Sequence, residues 1–388
     1  MARWRRRGLG WLEPALVVLG RRYFGRGEIR SDWTAEHWLR AAAAALAERL
    51  APALGEACTT EGVDVPRAPW AMLAAARLEN QRRTEAQEHV LRELGLAFEE
   101  DGLRPVLFKG LALARHYPAR AARETGDIDL LVASRDLPRA EQVLRAAGYE
   151  RWGGGGRLAA RYPLTFGRHA DGDVVGMVDL HPAWHELTVD ADGREVIVGD
   201  HREPLESAEV GGTRWALLPP AVELHLTAAH VALHNLRTLS VYLDLAVQLS
   251  TAGERATARA WGLARSQGRE RQLRHAVTAA AELFGLDLDS RHVTLPRRLG
   301  VPVGLRLGYT GAGFRLLPSS LVMELVLRRG LRHRLDFARW VLGHTGSGED
   351  RGEAGRAGGW LRRMLRGLRW FKGTVLRYRT PRSSPLRP

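Results

Sequence analysis

Residues 105–132, PVLFKGLALARHYPARAARETGDIDLLV, decide how this 388-residue chain is read. Residues 105–108 read as a short strand that meets Lys109-Gly110, and residues 110–116 as a helix starting just after it. Asp127-Ile128-Asp129 then runs into Leu130-Leu131-Val132, a second and apolar strand. Alternate side chains of a strand share a face, so Asp127 and Asp129 point the same way. Two carboxylates held this close repel unless a cation lies between them. A hard divalent ion such as Mg²⁺ takes carboxylate and phosphate oxygens. A pair of such ions is the usual apparatus of in-line phosphoryl or nucleotidyl displacement.

The lysine in this stretch is a second signal. Of 58 basic residues only two are lysines, Lys109 and Lys372. A composition that uses arginine for generic positive charge keeps one compact ammonium beside the carboxylate motif, as a phosphate contact would require. Arg123 precedes Asp127 by four residues. It reads as a clamp on a triphosphate, with pairing to a carboxylate as the alternative.

Leu107-Phe108-Lys109-Gly110, Tyr117-Pro118, Arg123, residues 127–132 and the later Asp179-Leu180-His181 together resemble the uncharacterised nucleotidyltransferase family of the DNA polymerase β superfamily. The resemblance spans residues 70–285. It implies an α/β (α+β) fold, a mixed nucleotidyltransferase-type sheet flanked by helical regions. It implies two Mg²⁺ ions, or Mn²⁺ in their place, on Asp127, Asp129 and Asp179, and an NTP whose triphosphate meets Lys109, Gly110 and Arg123. Asp179 would also border the nucleophile, where it could accept a proton. His181 would orient a carboxylate or touch substrate. Two departures stand out: the superfamily's strand-end Gly-Ser is Lys109-Gly110 here, and Gly126 stands where serine is frequent. The resemblance names no acceptor; a small molecule or peptide of specialised metabolism is the expectation.

Charge narrows the partners. The formal charge of +14 places +6 in residues 1–30 and +10 in residues 351–388, which leaves the body between them at −2. An enzyme acting on nucleic acid needs a basic surface around its site, so nucleic acid is disfavoured. The basic ends suit an anionic membrane surface or a protein partner, and a non-catalytic nucleotide-binding adaptor using those ends is the competing class. One cysteine, Cys58, excludes an internal disulfide and a cysteine-based zinc cluster. This suits a cytoplasmic protein, peripheral to a membrane at most. The apolar run over residues 8–20 is too short to span a bilayer, and no small-residue cleavage site follows it.

The chain divides into a basic amphipathic arm (1–30), a helical region (31–102), the α/β core (103–215), a helical C-terminal domain (216–342) and a Gly-rich linker with a basic amphipathic tail (343–388). Within this plan residues 31–60 and 70–100 each read as one helix, and 137–147 as another. Asp171-Gly172 reads as a hairpin turn, and residues 174–181 as a strand ending in the Asp-Leu-His motif. His185 and Glu186 near His181 are rejected as a zinc site, because Pro182 breaks the spacing. His230 and His234 share a helix face, packed or facing the cleft.

Overall fold

In the computed structural model, which describes residues 12–152, 163–170, 173–234 and 238–286, four helices precede the sheet: α1 (Glu13–Phe24), α2 (Ala35–Ala47), α3 (Ala51–Thr60) and α4 (Arg67–Glu100). Then come β1 (Val106–Phe108), α5 (Gly110–Ala114), a 3₁₀ turn at Arg120–Ala122, β2 (Ile128–Leu131), α6 (Leu137–Ala146), β3 (Glu150–Trp152), β4 (Leu164–Ala170) and β5 (Asp173–His181). A small sheet follows from β6 (Leu187–Val189), β7 (Glu195–Val198) and β8 (His201–Pro204), and the main sheet is completed by β9 (Glu206–Val210) and β10 (Thr213–Leu217). Helices α7 (Pro220–His234), α8 (Leu239–Thr251), α9 (Glu254–Ser266) and α10 (Glu270–Phe284) close the described chain.

The main sheet has seven strands in the order β3-β4-β5-β2-β1-β10-β9. It is mixed: β2 runs parallel to β5 and β1 parallel to β10, while the remaining pairs are antiparallel. Period-two alternation sorts its side chains onto two faces. Leu107, Ile128, Leu130, Val178, Leu180 and Leu217 pack with Leu91, Leu94 and Phe98 of α4 and with Leu144 of α6. Val106, Phe108 and Leu131 face the other way, onto Leu187, Val196 and Val198 of the small sheet and Val222 of α7. Asp129 lies on this second face, and the site is built there.

A third core joins both ends of the described chain. Leu12, Leu16 and Leu19 are buried with Leu54 of α3, Tyr242 of α8 and Phe284 of α10. The N-terminal arm expected over residues 1–30 is therefore corrected from Leu12 onward: α1 is a buried helix, because its apolar stripe finds a groove between α3 and α10. The single helix expected over residues 31–60 is also two. Thr34 caps α2 by accepting the His37 N–H, and His37 Nδ1 returns a bond to the Thr34 N–H. The far end closes with Arg49 N–H on Leu46 O and Leu50 N–H on Ala45 O, a Schellman closure with Arg49 at φ 57°. Pro52 then stands in the first turn of α3.

The helix expected at 70–100 forms as α4, and its polar middle has a structural task. Asn80 Nδ2 donates to the carbonyls of Ala121 (2.7 Å) and Arg123 (2.9 Å), and the Thr125 hydroxyl donates to Gln87 Oε1. These bonds hold the segment that delivers Arg123 and Asp127. The strands β6 to β10 were not anticipated beyond the general α/β assignment. The turn expected at Asp171-Gly172, the linker and the basic tail all lie outside the described residues. No helix among the described residues is long and apolar enough to cross a membrane.

Candidate active site

The parallel register of β2 and β5 sets Asp129 opposite Asp179 and Leu131 opposite His181. The β1–β2 register sets Phe108 opposite Asp129 and so brings Lys109 to the same end of the sheet. One ligand atom from each of Asp129, Asp179 and His181 lies within 4.8 Å of the others. Asp129 is buried, and its Oδ1 accepts from Lys109 Nζ at 2.8 Å and from His181 Nε2 at 2.9 Å. An ionised carboxylate only accepts, so the Nε2–H tautomer of His181 is the one that fits. Burial alone would raise the Asp129 carboxyl, but Lys109 and His181 outweigh it and hold it below the ordinary range.

Asp127 is different. It lies just ahead of β2, beside the cluster, and has no hydrogen-bond partner among the described residues. Burial pushes its carboxyl above the ordinary range, and the Asp129 and Asp179 charges push it further, against the pull of Lys109 and Arg49. Asp179 Oδ1 is buried and unpartnered among the described residues. Leaving such an oxygen without a partner is costly. Two carboxylates that converge with His181, one with an orphaned buried oxygen, can hold a divalent cation; Asp127 is not part of that convergent set and adds its charge beside it. His181 spends its Nε2 on Asp129, which makes it an orienting partner of that carboxylate.

Lys109 carries backbone strain at φ 54°, ψ −147°, a region that side chains rarely adopt. Its ammonium lies 4.1 Å from the Trp184 ring centre and 4.9 Å from that of Phe108. Gly110 follows at φ 31°, and a Cβ there would stand 3.1 Å from the Asp127 carbonyl oxygen. Glycine therefore lets the β1–α5 corner approach the start of β2. Trp184 is presented by a two-residue hairpin in which Trp184 and Leu187 exchange backbone bonds of 2.9 and 2.7 Å. Both central residues, His185 and Glu186, have positive φ. That is the signature of a type I′ turn, normally the province of Asn and Gly.

Opposite this floor stands a wall of helices. Arg123 pairs bidentately with Asp244 of α8, Nε to Oδ1 at 2.8 Å and Nη2 to Oδ2 at 3.0 Å, and the Tyr117 hydroxyl adds a third bond at 2.7 Å. Of the two roles left open for Arg123, the geometry has the carboxylate pairing, because α8 brings an aspartate to it. Arg115 makes a second bidentate pair with Glu223 of α7, both bonds 2.8 Å, joined by His116 Nε2 at 2.8 Å. Between floor and wall lies a cavity of about 230 Å³. Lys109, Gly110, Arg123, Asp127 and Asp129 line it, together with Arg49, Glu124, Trp184, Glu223, His230 and Asp244. The side chain of His234 falls outside the described residues.

Several of these were not singled out from the sequence. Asp244 had a visible signal, an aspartate inside the apolar run 241–247. Trp184 and Arg49 had none, since neither belongs to a motif. The comparisons with known proteins complete the picture. A family model described as "Uncharacterised nucleotidyltransferase" matches residues 34–285. None of the curated proteins matches. A solved structure, an antigenic nucleotidyltransferase-like protein from Paracoccidioides brasiliensis, aligns at 12% identity over 53% of this chain and 95% of its own, with a TM-score of 0.34. So low a score carries no argument.

Proposed function

The chain belongs to the uncharacterised nucleotidyltransferase family, and from that premise we propose that it moves a nucleoside monophosphate from an NTP to a small-molecule or peptide acceptor. Asp127, Asp129 and Asp179 would hold the divalent ions, Mg²⁺ or Mn²⁺. When bound, such ions neutralise phosphate charge and stabilise the oxygens of an in-line displacement. The observation that carries this reading is the orphaned Asp179 oxygen converging with Asp129 and His181, next to the cleft that Asp127 and Asp129 line.

The chain's own groups take the remaining tasks. Lys109 and the backbone at Gly110 bind the triphosphate, and Lys109 leaves Asp129 for a phosphate oxygen by a short swing of its ammonium. Arg123 adds positive charge to the cleft wall while Asp244 fixes it. His181 holds Asp129 in one orientation. The acceptor oxygen or nitrogen attacks the α-phosphorus, the bond to pyrophosphate breaks, and the acceptor proton passes to Asp179. The near-neutral body favours a small acceptor over a nucleic acid.

The test is incubation with each α-labelled NTP, Mg²⁺ and candidate acceptors encoded beside this chain. Label transfer with stoichiometric pyrophosphate release, absent in Asp127→Asn, is expected. Release of inorganic phosphate without label transfer would point to hydrolysis and sink the proposal.

A further inference from the structure

Most cations of the cleft are already engaged. Lys109 is held by Asp129, Arg123 by Asp244 and Arg115 by Glu223, and their side chains are 18%, 14% and 21% exposed. Arg49 differs on each count. It is 44% exposed and lines the cavity, and it is tied by one bond, Nε to Glu124 Oε1 at 2.9 Å. Among the described residues its Nη1 and Nη2 make no hydrogen bond.

The backbone under Arg49 gives an independent reason to single it out. In a Schellman closure the residue after the cap adopts the left-handed conformation, which glycine takes at no steric cost. This chain puts an arginine there, at φ 57°. A half-exposed single-bond pair with Glu124 contributes too little to compensate for that conformation. A strained residue at the edge of a cleft points to function.

The surroundings fix the backbone from which the guanidinium reaches the cleft. Glu48, the residue before it, accepts the Leu239 N–H at its Oε2 (2.9 Å) and the Ser240 N–H at its carbonyl (3.2 Å). The end of α2 is thereby bolted to the start of α8, and Arg49 has no freedom to swing away with its backbone. A Cβ built on Gly126 would stand 3.5 Å from Arg49 Nη2, so the guanidinium passes directly over the residue before Asp127.

We propose that Arg49 is a polyphosphate-binding residue of the cleft, its two Nη groups contacting phosphate oxygens of a nucleotide held beside Asp127. This rests on the nucleotidyl-transfer reading. It adds a residue from the N-terminal helices, outside the strand motif, whose two Nη groups are not engaged by a carboxylate among the described residues, as Arg123 Nη2 is by Asp244. The planar fork of the guanidinium suits two phosphate oxygens at once.

Calorimetric titration of the full-length protein with Mg²⁺ and inorganic tripolyphosphate, and then with each NTP, tests it. Arg49→Asn tolerates the left-handed backbone and should weaken tripolyphosphate binding about tenfold or more. Arg49→Lys keeps the charge and should retain part of the affinity. Arg49→Gly suits the backbone best, so it should melt with wild type yet bind as weakly as Arg49→Asn. Wild-type affinity in Arg49→Asn alongside a loss in Lys109→Ala would overturn the Arg49 assignment and leave the nucleotide reading intact. Losses that follow lowered melting in all three variants, glycine included, would make the role structural and overturn it too. Failure of wild type to bind tripolyphosphate and every NTP would remove the nucleotide reading itself.

Discussion

The floor and the wall of the cleft are both rich in acids, yet they treat them in opposite ways. On the wall, Asp244 is matched by Arg123 and Tyr117, and Glu223 by Arg115 and His116. On the floor Asp129 is matched and Asp127 is not, and the Asp179 Oδ1 atom beside Asp129 stands unpartnered among the described residues. A buried charge pair completed within the protein rigidifies its surroundings. An incomplete set waits for a ligand. The contrast separates acids that shape the cleft from acids that meet its contents.

The largest expected effect tests the floor. Asp127→Asn and Asp179→Asn should each lower nucleotide turnover by roughly a thousandfold, since a metal carboxylate supplies several kcal/mol of transition-state stabilisation. Mg²⁺ should raise the melting temperature of the wild type, and both variants should lose that rise. Turnover near the wild-type level in either variant would erase the distinction between floor and wall.

The next tests the wall. Asp244→Asn strands Arg123 as a buried unpaired charge and should cost about 3–5 kcal/mol of stability in denaturant titration. Asp179→Asn, which removes a charge from a crowded site, should be neutral or stabilising without metal. If Asp179→Asn proved the more damaging of the two, the assignment of roles would be reversed.

Acid should then unsettle the helices behind the wall. Burial, aided by Arg269, pushes the His225 imidazole down to about 4, and burial does the same to His275. The unfolded chain takes these protons near pH 6.5, whereas the folded chain takes them only near pH 4. Stability is therefore lost as pH falls through that window and levels below it, by up to about 3 kcal/mol per histidine. His225→Gln, which can still meet Gln267, should flatten the loss; an unchanged pH profile would assign it elsewhere.

The smallest effect separates the two motif aspartates from each other. Asp127 has a raised carboxyl in the fold, so protonation favours the folded state, and its charge is a liability above that range. Asp127→Asn should then be slightly more stable than wild type without metal at neutral pH. The advantage should shrink as pH falls through the raised range, above 3.8. Asp129 has a lowered carboxyl, so it contributes stability above 3.8 that is lost only as pH falls below that value. Asp129→Asn should be destabilising throughout the neutral range. Matching melting curves for the two variants between pH 7 and 4 would contradict the difference in their surroundings.

Much of this was legible because it is local. Strand periodicity ended β5 at Asp179 and His181 and put Asp129 on a strand, and the apolar spacing of α4 gave its length; Asp127, read as sharing the strand face, lies just ahead of β2. The polar middle of α4 carries no motif, yet Asn80 and Gln87 hold the loop that carries Arg123. The buried α1 was read as an interfacial arm, because a basic start beside an apolar stripe looks the same whether a membrane or another helix covers the stripe. The breaks at Arg49 and in the hairpin at His185-Glu186 left no mark, since neither contains the glycine that such turns favour.

The sequence by itself determined the strand pair with its carboxylates, the lysine beside them and the family to which the chain belongs. Each follows from contacts within a few residues or from a recognisable motif. Only the tertiary structure decided that Asp129 lies opposite Asp179, that Arg123 meets Asp244 and that Arg49 reaches the cleft. Those pairings join residues 50 to 121 positions apart. Which charge meets which is set by strand register and by how α2 and α8 dock, and the packing of three separate cores fixes both.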